Sequence, residues 1–178
     1  MAIQGKQSVG QLGVTLIVQD VATAATFYRD ILGAEEIQRS FSHGPADVPG
    51  PEAMYAEMRL GGAYLIVAKE NPRWHEAPRP DWPRSPLSAG AASVTLTVYV
   101  DDVDAVFARA LAAGASAQAK DQGPENTYWG DRVAQFHDPF GHVWRIQTRI
   151  EDVAVEDLAA RFEAQRAARR AAREGSPH

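Results

Sequence analysis

The chain contains no cysteine among its 178 residues. Disulfides, thiolate metal ligands and cysteine nucleophiles are therefore excluded. Basic residues are fewer than acidic ones, with 18 Lys and Arg against 23 Asp and Glu, and the formal net charge is −5. Because a nucleic-acid-binding surface needs a basic field, we expect no nucleic-acid partner.

Long apolar runs are also missing. No stretch approaches the ~18 residues that cross a bilayer, and the N-terminal residues lack the basic and apolar regions of a signal peptide. The patterns GxGxxG, GxSxG and HExxH do not occur. We therefore expect a soluble, cytoplasmic protein with no membrane partner, and the hydrophobic fraction of 45% is ordinary for a globular chain.

One pattern occurs twice in the chain. Residues 14–34 and 96–115 each contain an alternating apolar strand, an acidic turn, a short helix and a closing Gly-Ala. A repeat with so long a spacing indicates duplication of one supersecondary module. In the first copy Asp20 is placed to cap the helix and Gly33 to end it, and Gly61-Gly62 predicts a hairpin turn between two strands.

The pattern divides the chain into five segments. They are an N-terminal tail (1–11), a first module (12–69), a proline-rich connecting loop (70–92), a second module (93–150) and a C-terminal helix with a tail (151–178). Within the first module, Gly and Pro predict a loop at 42–53. In the last segment, Val155, Leu158 and Phe162 predict a docked apolar stripe, and the arginine-rich end is expected to fray.

Strand-helix-strand-strand-strand, written twice, with FYRDILGA ending the first helix, resembles the vicinal oxygen chelate superfamily of glyoxalases, bleomycin-resistance proteins and extradiol dioxygenases. The segment YWGDRVAQFHDPFGHVWRIQTRIEDV (128–153) is similar to the PhnB-like branch. The resemblance implies an α+β fold of two tandem βαβββ modules that form half-open barrels, plus a C-terminal helix. It also implies a ligand cavity on the concave face and a homodimer.

Metal-dependent members of this superfamily bind a divalent ion through His, Gln or Glu at four strand positions. Matching the motifs places these positions at Gly13, Ile66, Thr95 and Arg145. Glycine and isoleucine offer no donor atom, threonine is a weak ligand, and arginine is a cation. We therefore expect that the metal site has been lost and that no cofactor is used. A divalent metal held by other residues is the alternative.

Strand alternation predicts which side chains line the cavity. The expected polar set is Glu57, Arg59, Tyr64, Thr95, Thr97, Tyr99, Gln135, His137, Arg145 and Gln147. Arg145 is expected either to bind a ligand or to pair with Glu57, and His137 either to act as a base or to cap the following turn. The loop tryptophans Trp74, Trp82 and Trp129 are expected to stack on a ligand or to pack over the cavity mouth or a dimer contact.

These features support three hypotheses. The first is a metal-free protein that binds a small polar organic molecule, similar to the bleomycin-resistance proteins. The second is a glyoxalase-like lyase or isomerase, or a dioxygenase, that uses a divalent metal or acid–base chemistry by Glu57 and His137. The third is an interaction module that uses the C-terminal helix.

Overall fold

The computed structural model describes residues 12–43, 50–77, 79–118 and 123–174. The first module contains β1 (Gly13–Val18), α1 (Val21–Leu32), β2 (Glu35–His43), β3 (Pro51–Leu60) and β4 (Ala63–Lys69). These strands form one sheet in the order β1-β4-β3-β2, in which β1 and β4 are parallel and the other pairs are antiparallel.

The second module repeats this architecture. It contains β5 (Thr95–Tyr99), α3 (Val103–Ala112), β6 (Ser116–Ala117), β7 (Glu125–Asn126), β8 (Asp131–His137) and β9 (Val143–Arg149). The sheet order is β5-β9-β8-β6, and β7 also pairs with β8. The predicted α+β fold of two βαβββ modules is confirmed.

Both helices that cover the sheets begin and end with the predicted chemistry. Asp20 accepts a hydrogen bond from the Thr23 amide at the start of α1, and Asp102 accepts one from the Ala105 amide at the start of α3. Gly33 ends α1 with φ of 74°, a conformation that glycine adopts without steric cost.

Two predicted loops contain more regular structure than expected. The predicted loop at 42–53 is shorter, because β2 continues to His43 and β3 begins at Pro51. Proline is tolerated as the first residue of a strand. The connection 70–92 contains a 3₁₀ turn at Pro72–His75 and α2 at Pro86–Ala89. Buried Glu70 holds α2 in place by accepting hydrogen bonds from the hydroxyl groups of Ser85 and Ser88.

The C-terminal segment differs from its prediction in two ways. Helix α4 runs through Leu158–Glu174, so the arginine-rich part is helical, and Arg169 pairs with Glu125 at 2.8 Å. Val155 is 78% exposed and does not dock, since it lies in a 3₁₀ turn that precedes the helix. Among the residues described, no helix is long and apolar enough to cross a membrane.

The two modules pack through their helix-covered faces. Helix α1 lies over β3 and β4, helix α3 lies over β8 and β9, and the two helices contact each other. If the two sheets were instead joined edge to edge through β1 and β5, α1 and α3 would lie about 14–24 Å apart. Helices in contact lie about 8–10 Å apart. The sheets therefore share one apolar core, and their other faces point away from it.

A buried carboxylate joins α1 to the second module. Asp138, only 4% exposed, accepts hydrogen bonds from the Tyr28 hydroxyl at 2.8 Å and the Trp144 indole at 2.9 Å through Oδ2. Its Oδ1 accepts the amides of Phe140 and His142 at 2.9 and 2.8 Å. Four donors replace the water that this buried charge has lost, which is the condition under which burial of a charge is tolerated.

We expect Tyr28→Phe to lower the free energy of unfolding by about 1.5–3 kcal/mol, because it removes a buried hydrogen bond to a charged acceptor. Chemical denaturation at neutral pH measures this loss. Tyr55→Phe, at a partly exposed tyrosine, is the control and should change stability by less than about 0.5 kcal/mol.

Tyr28→Phe should also change how the stability of the protein depends on alkaline pH. Burial, and then the charge of Asp138, raise the pKa of Tyr28 well above its usual value. A raised pKa means that this stability is complete below about pH 10, the ordinary tyrosine pKa, and is lost as pH rises beyond it. Tyr28→Phe should therefore lose less stability than the wild type above about pH 10. Equal alkaline losses in both proteins would contradict this prediction.

Candidate functional site

The outward face of the second sheet carries most of the predicted polar residues. The register places them in three rows, which are Thr95-Val143-His137, Thr97-Arg145-Gln135 and Tyr99-Gln147-Val133. The opposite face of the same strands carries buried Trp144, Ile146 and Phe136. The structure thus brings seven of the predicted residues onto one surface, which we call the second polar face.

The outward face of the first sheet carries the other three predicted side chains. Its rows are Gly13-Tyr64-Arg59, Thr15-Ile66-Glu57 and Ile17-Ala68-Tyr55. We call this surface the first polar face, although its centre at β1 and β4 is mainly apolar. Its charged residues, Glu57 and Arg59, lie on β3, farther from β1 than β4 is.

One chain does not bring the two polar faces together. Because the sheets share a core through their opposite faces, Glu57 lies on a different wall from His137 and Arg145. The single cavity expected to hold all of these residues is therefore not formed by one copy of the chain. It requires a second surface opposite each face.

The four positions that correspond to metal ligands divide in the same way. Gly13 and Ile66 lie on the first polar face, and Thr95 and Arg145 lie on the second. At Gly13 the ring of Tyr64 takes the space of a side chain, since a Cβ there would meet Tyr64 Cδ1 at 3.1 Å. Across the described parts of the chain, no group of three or more His, Asp or Glu residues could hold a metal ion. These residues do not fit a divalent ion.

Arg145 is held against an aromatic ring at this surface. Its guanidinium carbon lies 5.4 Å from the centre of the Trp129 ring, in a cation–π contact. Trp129 donates its indole N–H to buried Asp131 at 2.9 Å, which fixes the ring. Sequence reasoning expected Trp129 to stack on a ligand or to pack over the mouth of the cavity. In the structure it stacks on the arginine of the site.

The Nε atom of Arg145 is buried, and within the described ranges it has no hydrogen-bond partner. Beside Arg145 is a cleft of about 160 Å³, which Trp129, Gln135 and Glu125 also line. Glu125 pairs with Arg169 of α4. A charged group with an unused buried donor next to an open cleft is suited to binding an acceptor atom of a ligand.

A row of aromatic rings connects α4 to this arginine. Phe162 of α4 lies 5.3 Å from the ring of Tyr128, and Tyr128 lies 4.8 Å from the ring of Trp129, both in edge-to-face geometry. Sequence reasoning missed Tyr128 as part of the site. The adjacent Tyr-Trp pair before β8 and the predicted apolar position of Phe162 were the available signals.

A second basic group borders the second polar face. Arg149 pairs with buried Asp131 at 2.8 Å. Its hydrogen bond with Tyr99, and then the charge of Asp131, raise the pKa of Arg149. Tyr99 and Arg149 are thus engaged with each other at the end of the sheet, beside the row that contains Gln147.

The remaining candidates lie elsewhere. Trp82 is half-buried in the connection, where the Arg79 guanidinium lies 5.4 Å from its ring. Trp74 is part of a 3₁₀ turn, and its side chain lies outside the described part of the chain. His137 lies within β8, and the next turn is capped by Asp138, whose Oδ1 accepts the Phe140 amide.

A larger cleft of about 350 Å³ lies where β1, β5 and the connection meet. It contains Val94, which is exposed, and His142, whose Nε2 lies 3.0 Å from the Ile17 carbonyl oxygen. None of the predicted site residues lines this cleft.

Comparison with known proteins agrees with this architecture. Residues 10–146 match the sequence profile of the Glyoxalase/Bleomycin resistance protein/Dioxygenase superfamily. The chain belongs to this superfamily. The resemblance inferred from the repeated module is therefore confirmed at the level of the superfamily.

Relatives and solved structures of this superfamily are similar over most of the chain. Uncharacterized proteins of Mycobacterium bovis and Mycobacterium tuberculosis are 32% identical over 84% of this chain, and the match covers 90% and 81% of their lengths. TioX from Micromonospora sp. ML1 is 23% identical with a TM-score of 0.53, over 79% of this chain and 99% of its own. A superfamily enzyme from Burkholderia phytofirmans is 20% identical with a TM-score of 0.56, over 78% and 97% of the two chains. The two solved structures support the fold.

We expect Phe162→Ala to change the environment of Trp129, because Tyr128 loses the ring that packs against it. Tryptophan fluorescence should shift, and stability should fall by about 1–3 kcal/mol. Val155→Ala is the matched control, since Val155 is exposed and should leave both signals unchanged. An unchanged emission spectrum in Phe162→Ala would show that α4 does not support this face.

Proposed function

We propose that this protein is a PhnB-like member of the superfamily that binds a small polar organic molecule without a catalytic metal. We propose further that it works as a cytoplasmic homodimer. The observation that carries the proposal is the set of residues at the four inherited ligand positions. Gly13, Ile66 and Thr95 supply no strong donor, and Arg145 places a fixed positive charge where a metal ion would lie.

The exposure of the polar faces supports the homodimer. Tyr99 is 57% exposed and Tyr55 is 38% exposed, although both are large side chains on strands. Each face supplies one wall only, so a cavity needs a second wall opposite. In a symmetric dimer, the first polar face of each copy can lie opposite the second polar face of the other copy. This arrangement forms two equivalent cavities.

The proposed dimer also affects the alternative hypothesis that Glu57 and His137 catalyse a reaction. Glu57 and His137 lie on different faces of one chain, so acid–base chemistry by this pair requires that two chains bring them together. Arg145 and Gln135 lie next to His137 on the second polar face and are suited to binding rather than to proton transfer. The arrangement therefore favours a binding protein over a lyase, isomerase or dioxygenase.

Metal ions should leave the protein unchanged. Thermal unfolding with Ni²⁺, Zn²⁺, Mn²⁺ or Fe²⁺ should give the same midpoint as unfolding with EDTA, because a ligand that binds the native state raises that midpoint. Screening of small organic acids and neutral polar molecules by the same assay should give stabilising compounds. Stoichiometric binding of any of these ions at the polar faces would contradict the proposal.

The dimer makes a separate prediction. Sedimentation should give twice the 19.4 kDa mass of one chain. Tyr55→Glu should shift the protein toward the monomer, because it places a charge on the first polar face at the expected interface. Leu111→Glu is the matched control, since Leu111 is also 38% exposed but lies on α3. Equal dissociation of both variants, or a monomeric wild type, would contradict this interface.

A further inference from the structure

The two polar faces differ in chemistry at their centres. On the second polar face, the strands β5 and β9 present Thr97, Arg145 and Gln147. On the first polar face, the corresponding strands β1 and β4 present Thr15 beside the mainly apolar set Gly13, Tyr64, Ile66 and Ala68, and the edge of the Tyr64 ring lies close to Gly13. A cavity made from both walls therefore has one hydrogen-bonding, cationic side and one flat, apolar side.

The cationic side favours an anion of low charge. Arg145 has a buried Nε without a hydrogen-bond partner among the described residues, and its guanidinium edge matches a carboxylate in a two-pronged hydrogen bond. Its row neighbours, Thr97 and Gln135, are neutral donors. Arg149 at the edge of this face is already paired with Asp131. Arg145 with its neutral donors therefore balances a single negative charge, whereas a phosphate dianion would need more positive charge.

The apolar side favours a flat ligand body. One edge of the Tyr64 ring lies close to Gly13, where a Cβ would come within 3.1 Å of Tyr64 Cδ1. Ile66 and Ala68 continue this surface along β4. A surface of an aromatic ring and small aliphatic side chains packs well against a planar ring of a ligand.

We propose that the ligand is a planar aromatic monocarboxylate. Its carboxylate binds the Arg145 guanidinium of one chain, and its ring packs on the Tyr64 and Ile66 surface of the second copy. This inference rests on the proposed function, and it assigns to Arg145 the part that a metal ion would otherwise take in holding a ligand oxygen.

Titration calorimetry of the wild-type protein with 2-naphthoate and with neutral 2-naphthalenemethanol tests the charge requirement. Naphthoate should bind about 10- to 150-fold more tightly, since a hydrogen bond to a charged group contributes about 1.5–3 kcal/mol. Cyclohexanecarboxylate, which carries the charge without a planar ring, should bind more weakly than naphthoate. Equal affinities for the acid and the alcohol would overturn the inference.

Substitutions test the assignment to Arg145. Arg145→Gln should weaken naphthoate binding by about 10-fold or more. Arg132→Gln is the matched control, because Arg132 lies on the opposite face of β8 and pairs with Asp104 of α3 at 2.6 Å. It removes the same charge and should change the affinity by less than about twofold. If Arg145→Gln does not fold, the comparison of acid and alcohol in the wild type still decides the question.

Different experimental results would contradict the ligand class and the metal-free binding function. If Arg145→Gln binds naphthoate as well as the wild type does, or if the wild type binds no aromatic acid but is stabilised by other small molecules, the ligand class is wrong and the binding function stands. If a divalent ion binds stoichiometrically at the polar faces, the metal-free function itself is wrong.

Discussion

The hydrogen bonds to the buried carboxylate of Asp138 set the arrangement on which the site depends. Tyr28 of α1 bonds Asp138, which is 110 residues away in the chain, and the same carboxylate also bonds Trp144 of β9. Because the carboxylate is buried, moving α1 away would remove one of its four hydrogen bonds, at a cost of about 1.5–3 kcal/mol. The helix-covered faces are therefore held together, and both polar faces are directed outward.

Under the proposed function, one side chain takes the place of a metal ion. A metal ion at the inherited position would supply a positive charge fixed by donor side chains. Here Arg145 supplies the charge, and Trp129, itself fixed by Asp131, supplies the fixed position through a cation–π contact. A guanidinium differs from a metal ion in one important respect, because it donates hydrogen bonds in a plane and does not polarise a bound oxygen as a Lewis acid does. This difference is the physical reason for proposing a binding function rather than a catalytic one.

Most of each module could be predicted from sequence, and the relation between modules could not. Alternation along a strand is local, so the sets that contain Thr97, Arg145 and Gln135 could be read from residue order. The caps at Asp20 and Asp102 are local as well. Which faces meet depends on tertiary contacts far apart in sequence, and Tyr28 gives no sign that its hydroxyl bonds Asp138. Helix α4 was underestimated for the same reason, since its ion pair with Glu125 is long-range.

The glycine at position 13 has an evolutionary consequence. A Cβ at this position would come within 3.1 Å of Tyr64 Cδ1, so any larger residue requires the ring to shift by a few tenths of an ångström. A substitution to histidine would therefore add a donor atom and also move an aromatic ring on the neighbouring strand. Positions 13 and 64 are thus expected to vary together rather than independently.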